Sequence, residues 1–476
     1  MLYTLTYPRS NYDEKRLDKQ LILKLIIKHH SIIAPKMFKN KRYYDGEHEI
    51  KNKKRKTEGA PNTKAVCNHA KDISDTASGY FMGNPLTYNC GGSEEEKKAL
   101  DRLTTEFDNA ELDDVDSDHA LNMSIYGISY EYIYVKESET ELAARALDPE
   151  FTFIVYDDSI EQKELFGVYY RIEKDDSTDK INYVATVATE NLLYEFYLSE
   201  NKDGKAESTE QETEESTEHH MGQLPIVCYK NNKYDIGDFE QQIDLIDAYN
   251  TLMSDRVNDK EQFIDAILVI YGAILGDDTE ETTEAKKKLK ELGLLELPMD
   301  AKAEFLARSL DETSVETLRK AIKEDIYTFS HVPNLTDEHF VGNSSGVAME
   351  YKLLGLEMIT KIKERYYRKG LRKRIAIFCH FLGLKNVTIN AKSIIPVFSR
   401  ALPKNLVELG QIVANLKGSV SMKTLLQLLP FVESPEDEVK AVKAENEENA
   451  KRQKEMFGNE PNLPPEEDEE TGEVDE

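Results

Sequence analysis

No stretch of this chain stays apolar for the length of a bilayer span, which excludes a transmembrane helix. The N-terminus, MLYTLTYPRSNYDEKRLDKQ, has no apolar run behind a basic start, so no secretory signal is expected. Cysteine is scarce: Cys67, Cys90, Cys228 and Cys379 stand far apart without a CxxC pair, which fits ordinary buried thiols in a reducing compartment. An excess of positive charge is also missing. The formal net charge is −29, which argues against a protein that grips nucleic acid through a broad basic surface. It leaves room for one that handles DNA without gripping it.

Catalytic signatures are missing as well. There is no GxxxxGK[ST] phosphate loop, and GNSSG has neither its spacing nor its lysine. There is no GxSxG elbow and no HExxH. Asp114, Asp116 and Asp118 imitate the start of a calcium loop. His119 then stands where glycine is needed and Ile125 where a bidentate glutamate is needed, so that loop is rejected. His219-His220 lies in an acidic stretch and could catch a stray cation, but such pairs are usually incidental. No catalytic residue, metal site or cofactor is expected, and the chain does not read as an enzyme.

What is present is 39% hydrophobic and 32% charged residues over a length sufficient for several domains. Helical periodicity comes first, over Asp13–Ile33, with Pro35 expected to end it. Asp45-Gly46 reads as a turn and Lys51–Lys56 as a basic loop. Further helical patterns cover Asn62–Phe81, Glu94–Phe107 and Ser117–Tyr126. From Gly127 the period changes to two. ISYEYIYV, FTFIVYDD, LFGVYYRIE, INYVATVA and NLLYEFYLS predict one sheet of about five short strands, with LPIVCYK as a possible sixth. The acidic segment Glu207–His220 interrupts them.

Helices return at Asp238, read as an N-cap, and run to about Phe263. A second long helix begins at Thr313 with Glu316 in a capping-box position. Between them lies a small α/β insert: ILVIYGAIL, a helix over Glu280–Leu292, then LLELP and AKAEFLA. After the turn-rich stretch His331–Ser345, HVPNLTDEHFVGNSS, an apolar stripe of Val347, Tyr351, Leu354, Met358 and Ile362 continues to Leu382, with Gly370 a candidate kink. The basic run Lys361–Arg374 reads as an exposed helix face pairing with acids of neighbouring subunits, with DNA binding the lesser alternative. Short helices follow to Phe431, and the Glu-rich remainder reads as disordered.

Five stretches in this order resemble the SPP1-type portal proteins of tailed bacteriophages. They are YYDGEHEI at Tyr43–Ile50, NHAKDISDTASGYFMGNPLTY at Asn68–Tyr88, the helix through Tyr249–Gly272, SHVPNLTDEHF at Ser330–Phe340 and GNSSGVAMEYKLLGLE at Gly342–Glu357.

The resemblance implies an α+β portal fold: a mixed helix/sheet wing over 1–235, stem helices over 236–264 and 309–330, and a small α/β clip over 265–308. It implies a tunnel loop over 331–345, a kinked wing helix over 346–400, a helical crown over 401–435 and an acidic tail over 436–476. The implied function is a dodecameric ring at one capsid vertex through which double-stranded DNA is packaged and ejected. Thr336, Asp337, Glu338, His339, Phe340, Val341, Gly342 and Asn343 would face the channel. Asp277, Asp278, Glu280, Glu281, Lys286 and Lys287 on the clip would receive the terminase large subunit and then a head-completion adaptor. Major capsid and scaffolding proteins are the other implied partners. The implied location is the virion, with assembly in the host cytoplasm and no membrane. The alternatives are a head–tail adaptor ring without a direct DNA role, or a metal-dependent nuclease.

Overall fold

The structure is a computed structural model. It describes residues 4–54, 61–91, 93–136, 140–174, 181–200, 206–207, 216–264, 267–271, 283, 287, 302–306, 312–335, 346–400, 406–426, 428–429, 432 and 435–457. The chain divides into two compact units, Met1–Ala401 and Leu402–Glu476.

In the first unit, β1 (Leu5–Tyr7) precedes α1 (Lys19–Lys28) and α2 (Ala34–Tyr44). Pro35 does not end the helix. A π-turn over His29–Ile33 joins α1 to α2, and Pro35 occupies the first turn of α2. There its missing N–H costs nothing, because a first-turn amide has no partner within its own helix. The helix stops instead at Asp45-Gly46, where Gly46 takes φ +80°.

The next helix is shorter than its periodicity suggests. α3 spans His69–Met82, and the Asn68 side chain caps it by accepting from the Lys71 amide. β2 (Thr87–Cys90), α4 (Glu94–Asn109) and α5 (Leu112–Tyr126) follow. Ser93 and Glu96 close a reciprocal capping box on α4.

The alternating segments form two sheets, not one. β3 (Ile128–Val135), β4 (Leu142–Leu147), β5 (Thr152–Asp157), β6 (Glu164–Lys174), β7 (Ile181–Ala188), β8 (Leu192–Glu200), the two-residue strands β9 (Ala206–Glu207) and β10 (Thr217–Glu218), and β11 (Ile226–Lys230) occur in that order. β11-β3-β4 is one antiparallel sheet. The other runs β1-β5-β6-β7-β8-β10, with β9 on β8. Alternation reports that a strand has one buried face. It does not report which neighbour supplies the cover, so β3 and β11 are indistinguishable from the rest by pattern.

α6 (Ile243–Ile264) follows a 3-10 turn at Glu240–Gln242. Asp238 is not its N-cap. That carboxylate accepts from Ser124 at 2.7 Å, Asn231 at 3.0 Å and the buried Lys363 ammonium. β12 (Ile267–Tyr271) and β13 (Lys302–Leu306) pair antiparallel, and α7 spans Glu312–Ser330. Thr313 lies inside α7, and its carbonyl accepts from the Thr317 hydroxyl, so it is no N-cap either.

α8 (Gly346–Lys352) and α9 (Leu354–Leu384) then break at Leu353, not at Gly370. α9 runs unbroken through Gly370, where the Tyr229 ring lies on the helix backbone. β14 (Ile394–Val397) returns to pair with β2.

One hydrophobic core gathers α3, α4, α5, β3, β11 and α9 around Phe81, Leu103, Met123, Ile133, Val227, Leu371 and Phe378. The expected stripe holds in the second half of α9, where Leu371, Ile375, Phe378 and Leu382 are buried, and is inverted from Tyr351 on α8 to Ile362 on α9. Leu356, Thr360, Lys363, Tyr367, Gly370, Leu371, Arg374 and Phe378 are buried. Tyr351, Leu354, Met358 and Ile362 are exposed.

The second unit holds α10 (Leu406–Leu416), α11 (Met422–Leu426) and α12 (Pro435–Phe457). The expectation of disorder from residue 436 is therefore corrected as far as Phe457. Glu, Lys and Ala dominate this segment and are strong helix formers, Pro435 suits a first turn, and Arg452 pairs with Glu448 one turn away. The prolines at 461, 464 and 465 lie beyond Phe457, outside the described residues.

Candidate functional site

All eight residues expected to face a channel, Thr336 to Asn343, lie outside the described residues, as do Asp277, Asp278, Glu280, Glu281 and Lys286. Lys287 is helical and exposed. What the structure describes is the pair of helices that precedes residues 336–345 in sequence.

That pair is α6 and α7. Lys260 binds Glu312 at 2.9 Å, Arg256 binds Glu312 at 2.8 Å and Glu316 at 2.9 Å, and Arg319 reaches the Tyr249 hydroxyl at 3.0 Å. As the number falls along α6 it rises along α7, so the helices are antiparallel. Glu316 is the centre of this ladder. Hydrogen bonds from Arg319 and then Arg256 hold its carboxyl down to about 2, so it stays charged across the physiological range.

α3 fastens the same pair. Tyr327 on α7 donates to Asp72 at 2.6 Å, so its oxygen is left to accept from His69 Nδ1–H at 3.1 Å. Burial pushes the His69 imidazole down to about 4, which keeps it neutral. Its ring also meets Tyr249 edge-on at 4.7 Å.

The segment read as the start of α3 has its own role. Residues 62–67 lie extended along α6. The amides of Thr63, Ala65 and Cys67 donate to Asn258, Ser254 and Asn250 at 2.7, 3.1 and 2.8 Å. Two extended residues advance roughly 6.6 Å and four helical residues roughly 6 Å, so alternate amides meet successive turns. An Asn/Ser/Asn series at helical spacing was the sequence signal for this strap.

α7 ends in a tight turn. Ser330 Oγ donates to the Tyr327 carbonyl at 3.0 Å and accepts from the Val332 amide at 3.3 Å. His331 takes φ +58°, a left-handed conformation that turns the chain out of the helix. In sequence, residues 336–345 follow this turn and precede α8, which starts at Gly346.

Part of the basic run Lys361–Arg374 turns inward and pairs within its own chain, which corrects the expectation of an exposed face for those residues. Lys363 meets Asp238, and Lys373 meets Glu164. Arg374 is fully buried, with Asp116 at 2.6 Å and Glu131 at 2.9 Å. Tyr367 donates to Asp116, and Tyr229 donates to Glu131 at 2.6 Å. This cluster joins α5, β3, β11 and α9. Burial pushes the Glu131 carboxyl up, against the pull of Arg374. Sequence reasoning missed it, although Lys363, Tyr367, Gly370 and Arg374 recur at the core-facing interval of a helix. Arg365, Lys369 and Arg372 remain exposed.

Asp116 is therefore committed to Arg374 and Tyr367 and not to a metal ion. His219 donates from Nε2 to the Thr189 carbonyl at 3.2 Å, while His220 is exposed. Among the described residues no group of His, Cys, Asp and Glu is arranged to hold a metal, and no helix is long and apolar enough to cross a membrane.

Comparison with known proteins adds to this geometry. The portal protein of Bacillus phage SPP1 is 25% identical over 469 residues, covering 93% of this chain and 89% of the relative. The portal protein of Clostridium phage phiCD119 is 22% identical over 410 residues, covering 81% of this chain and 86% of the relative. Residues 23–452 match the family described as "Phage portal protein, SPP1 Gp6-like", and the chain belongs to that family of bacteriophage portal proteins.

Proposed function

We propose that this chain is the subunit of a dodecameric ring at one capsid vertex, a conduit through which double-stranded DNA is packaged and later ejected. Portal proteins are structural, non-enzymatic components of the phage capsid. The observation that carries the reading is the antiparallel pair α6 and α7. It is closed at one end by the β12–β13 insert and leads at the other into residues 336–345, and the family match spans all three.

In this reading residues 1–235 form the wing, 236–264 and 309–330 the stem, and 265–308 the clip. Residues 331–345 form the tunnel loop, 346–400 the helix leading back outward and 401–435 the crown, with 436–476 a tail. The clip, with Asp277, Asp278, Glu280, Glu281, Lys286 and Lys287, receives the terminase large subunit during packaging and a head-completion adaptor afterwards. Major capsid and scaffolding proteins meet the ring in the virion, which is assembled in the host cytoplasm.

The chemistry suits a sliding contact. Each phosphate neutralised by a cation adds salt-dependent affinity and would stall translocation. A chain of net charge −29 repels the duplex toward the axis instead. Asp337 and Glu338 weaken any grip by the loop, Gly342 gives it backbone freedom, and His339 and Phe340 are its groups for a groove or a neighbouring loop.

Deleting Thr336–Asn343 tests the assignment. Rings are expected to assemble as in the wild type, while DNA packaging in a reconstituted motor assay falls to background. Normal packaging by this deletion would contradict a channel role for the loop and favour a ring that never handles DNA.

A further inference from the structure

We infer that successive subunits of the ring join head to tail, with the exposed α8–α9 face of one copy seated on the exposed face of α7 of the next. This rests on the ring reading and assigns its contact surfaces.

The first face is apolar in one half and basic in the other. Tyr351, Leu354, Met358 and Ile362 are 74, 51, 61 and 46% exposed and recur at helical spacing. Arg365, Lys369 and Arg372 continue the same line, and none of them has a carboxylate partner among the described residues. No acidic residue between Leu354 and Arg372 is exposed, because Glu357 and Glu364 turn inward to Arg400. A stripe of large apolar side chains left in water on a well-packed helix marks a contact surface.

The second face is its complement. Thr313, Ser314, Thr317, Leu318 and Ala321 line a shallow, widely open groove on α7, whose small side chains leave room for larger ones. Leu318 itself is 51% exposed. Beyond the groove, Glu324 and Asp325 are exposed and outside any ion pair among the described residues. Lys320 is the one exposed cation on this helix.

The spacing agrees as well as the charge. Met358 to Arg365 and Leu318 to Asp325 are the same seven-residue step, two helical turns or about 10 Å. Laid parallel, the apolar centres meet and the cation of one copy lies opposite the carboxylates of the other. Two different complementary faces make a heterologous contact, the kind that generates a ring when its rotation closes. A second copy of this chain is therefore the occupant.

Native mass measurement of the full-length chain tests this. Wild type is expected to form assemblies larger than a dimer. Met358→Asp and Leu318→Asp, each breaking one side of every contact, are expected to stay monomeric. Mixed together they retain one good face each, so they form a one-to-one dimer and nothing larger. Arg365→Glu is expected to weaken association about tenfold, and adding Asp325→Arg in the same chain to restore it.

If wild type assembles and both aspartate variants assemble equally well, the face assignment falls while the ring stands. A wild type that is monomeric at every concentration overturns the ring reading itself. Folded variants that fail to form the mixed dimer overturn the head-to-tail pairing. If an aspartate variant loses its helical circular dichroism, the charge swap decides alone, and failure of Asp325→Arg to rescue Arg365→Glu overturns the pairing.

Discussion

Replacing Arg374 by methionine is expected to lower the unfolding free energy by about 3–5 kcal/mol, a large fraction of what a typical domain has. Arg374 is 0% exposed and stands between Asp116 and Glu131, themselves 2 and 0% exposed. Removing the guanidinium leaves two carboxylates in the core with only the Tyr367 and Tyr229 hydroxyls as donors. The cost is that of desolvated charge without a counterion, not of a lost surface pair. Neutralising the acids in the same chain, with Asp116→Asn and Glu131→Gln, keeps acceptors for both tyrosines and is expected to recover most of the loss. Urea denaturation followed by circular dichroism measures all three proteins. A single Arg374→Met variant within about 1 kcal/mol of wild type would mean that the cluster is not the closed core unit described here.

The second large effect is expected at Gly370, where its sign decides between two roles. A glycine that merely tolerates a helix interior gains about 1 kcal/mol on replacement by alanine. Here a Cβ would stand 2.4 Å from Tyr229 Cε1 and 2.5 Å from Cδ1. Tyr229 has little room to yield. It donates to Glu131, stacks on His119 at 4.5 Å and packs on Tyr367 at 4.6 Å between ring centroids. Gly370→Ala is therefore expected to destabilise by about 1–3 kcal/mol through overpacking. A stabilised variant in the same denaturation assay would contradict the close approach of β11 to α9.

Both positions show what the sequence reveals and what it conceals. The helical pattern of α4 over Glu94–Phe107 was legible, and so were the alternating strands β5 to β8, whereas the caps read at Asp238 and Thr313 were not the true helix starts. The parallel pairing of β1 with β5 was not, because a three-residue strand has too little pattern and its partner lies far along the chain. The π-turn before Pro35 was not legible either, since proline inside a periodic stretch reads as a stop unless the turn that accommodates it is known.

α9 misled for a physical reason. Periodicity finds an apolar face but cannot distinguish burial in the subunit from burial against another molecule. Tyr351, Leu354, Met358 and Ile362 are as apolar as a core stripe and lie outside. Lys363, Tyr367 and Arg374 look like a wet face and lie inside, because Asp238, Asp116 and Glu131 arrive from elements more than 100 residues away. Of the candidate site, the helix pair that precedes it in sequence was legible from length and spacing. Its channel-facing residues, Thr336–Asn343, were assigned by resemblance alone, since turn residues carry no periodicity that could orient them.

The central claim is that this chain works as a ring around DNA. The most direct measurement is electron microscopy of the purified full-length protein. The account predicts closed rings of uniform subunit number with an open central channel, wide enough for a duplex and unchanged in number when Thr336–Asn343 is deleted. A field of monomers at every protein concentration and ionic strength, or closed particles without a channel, would contradict it.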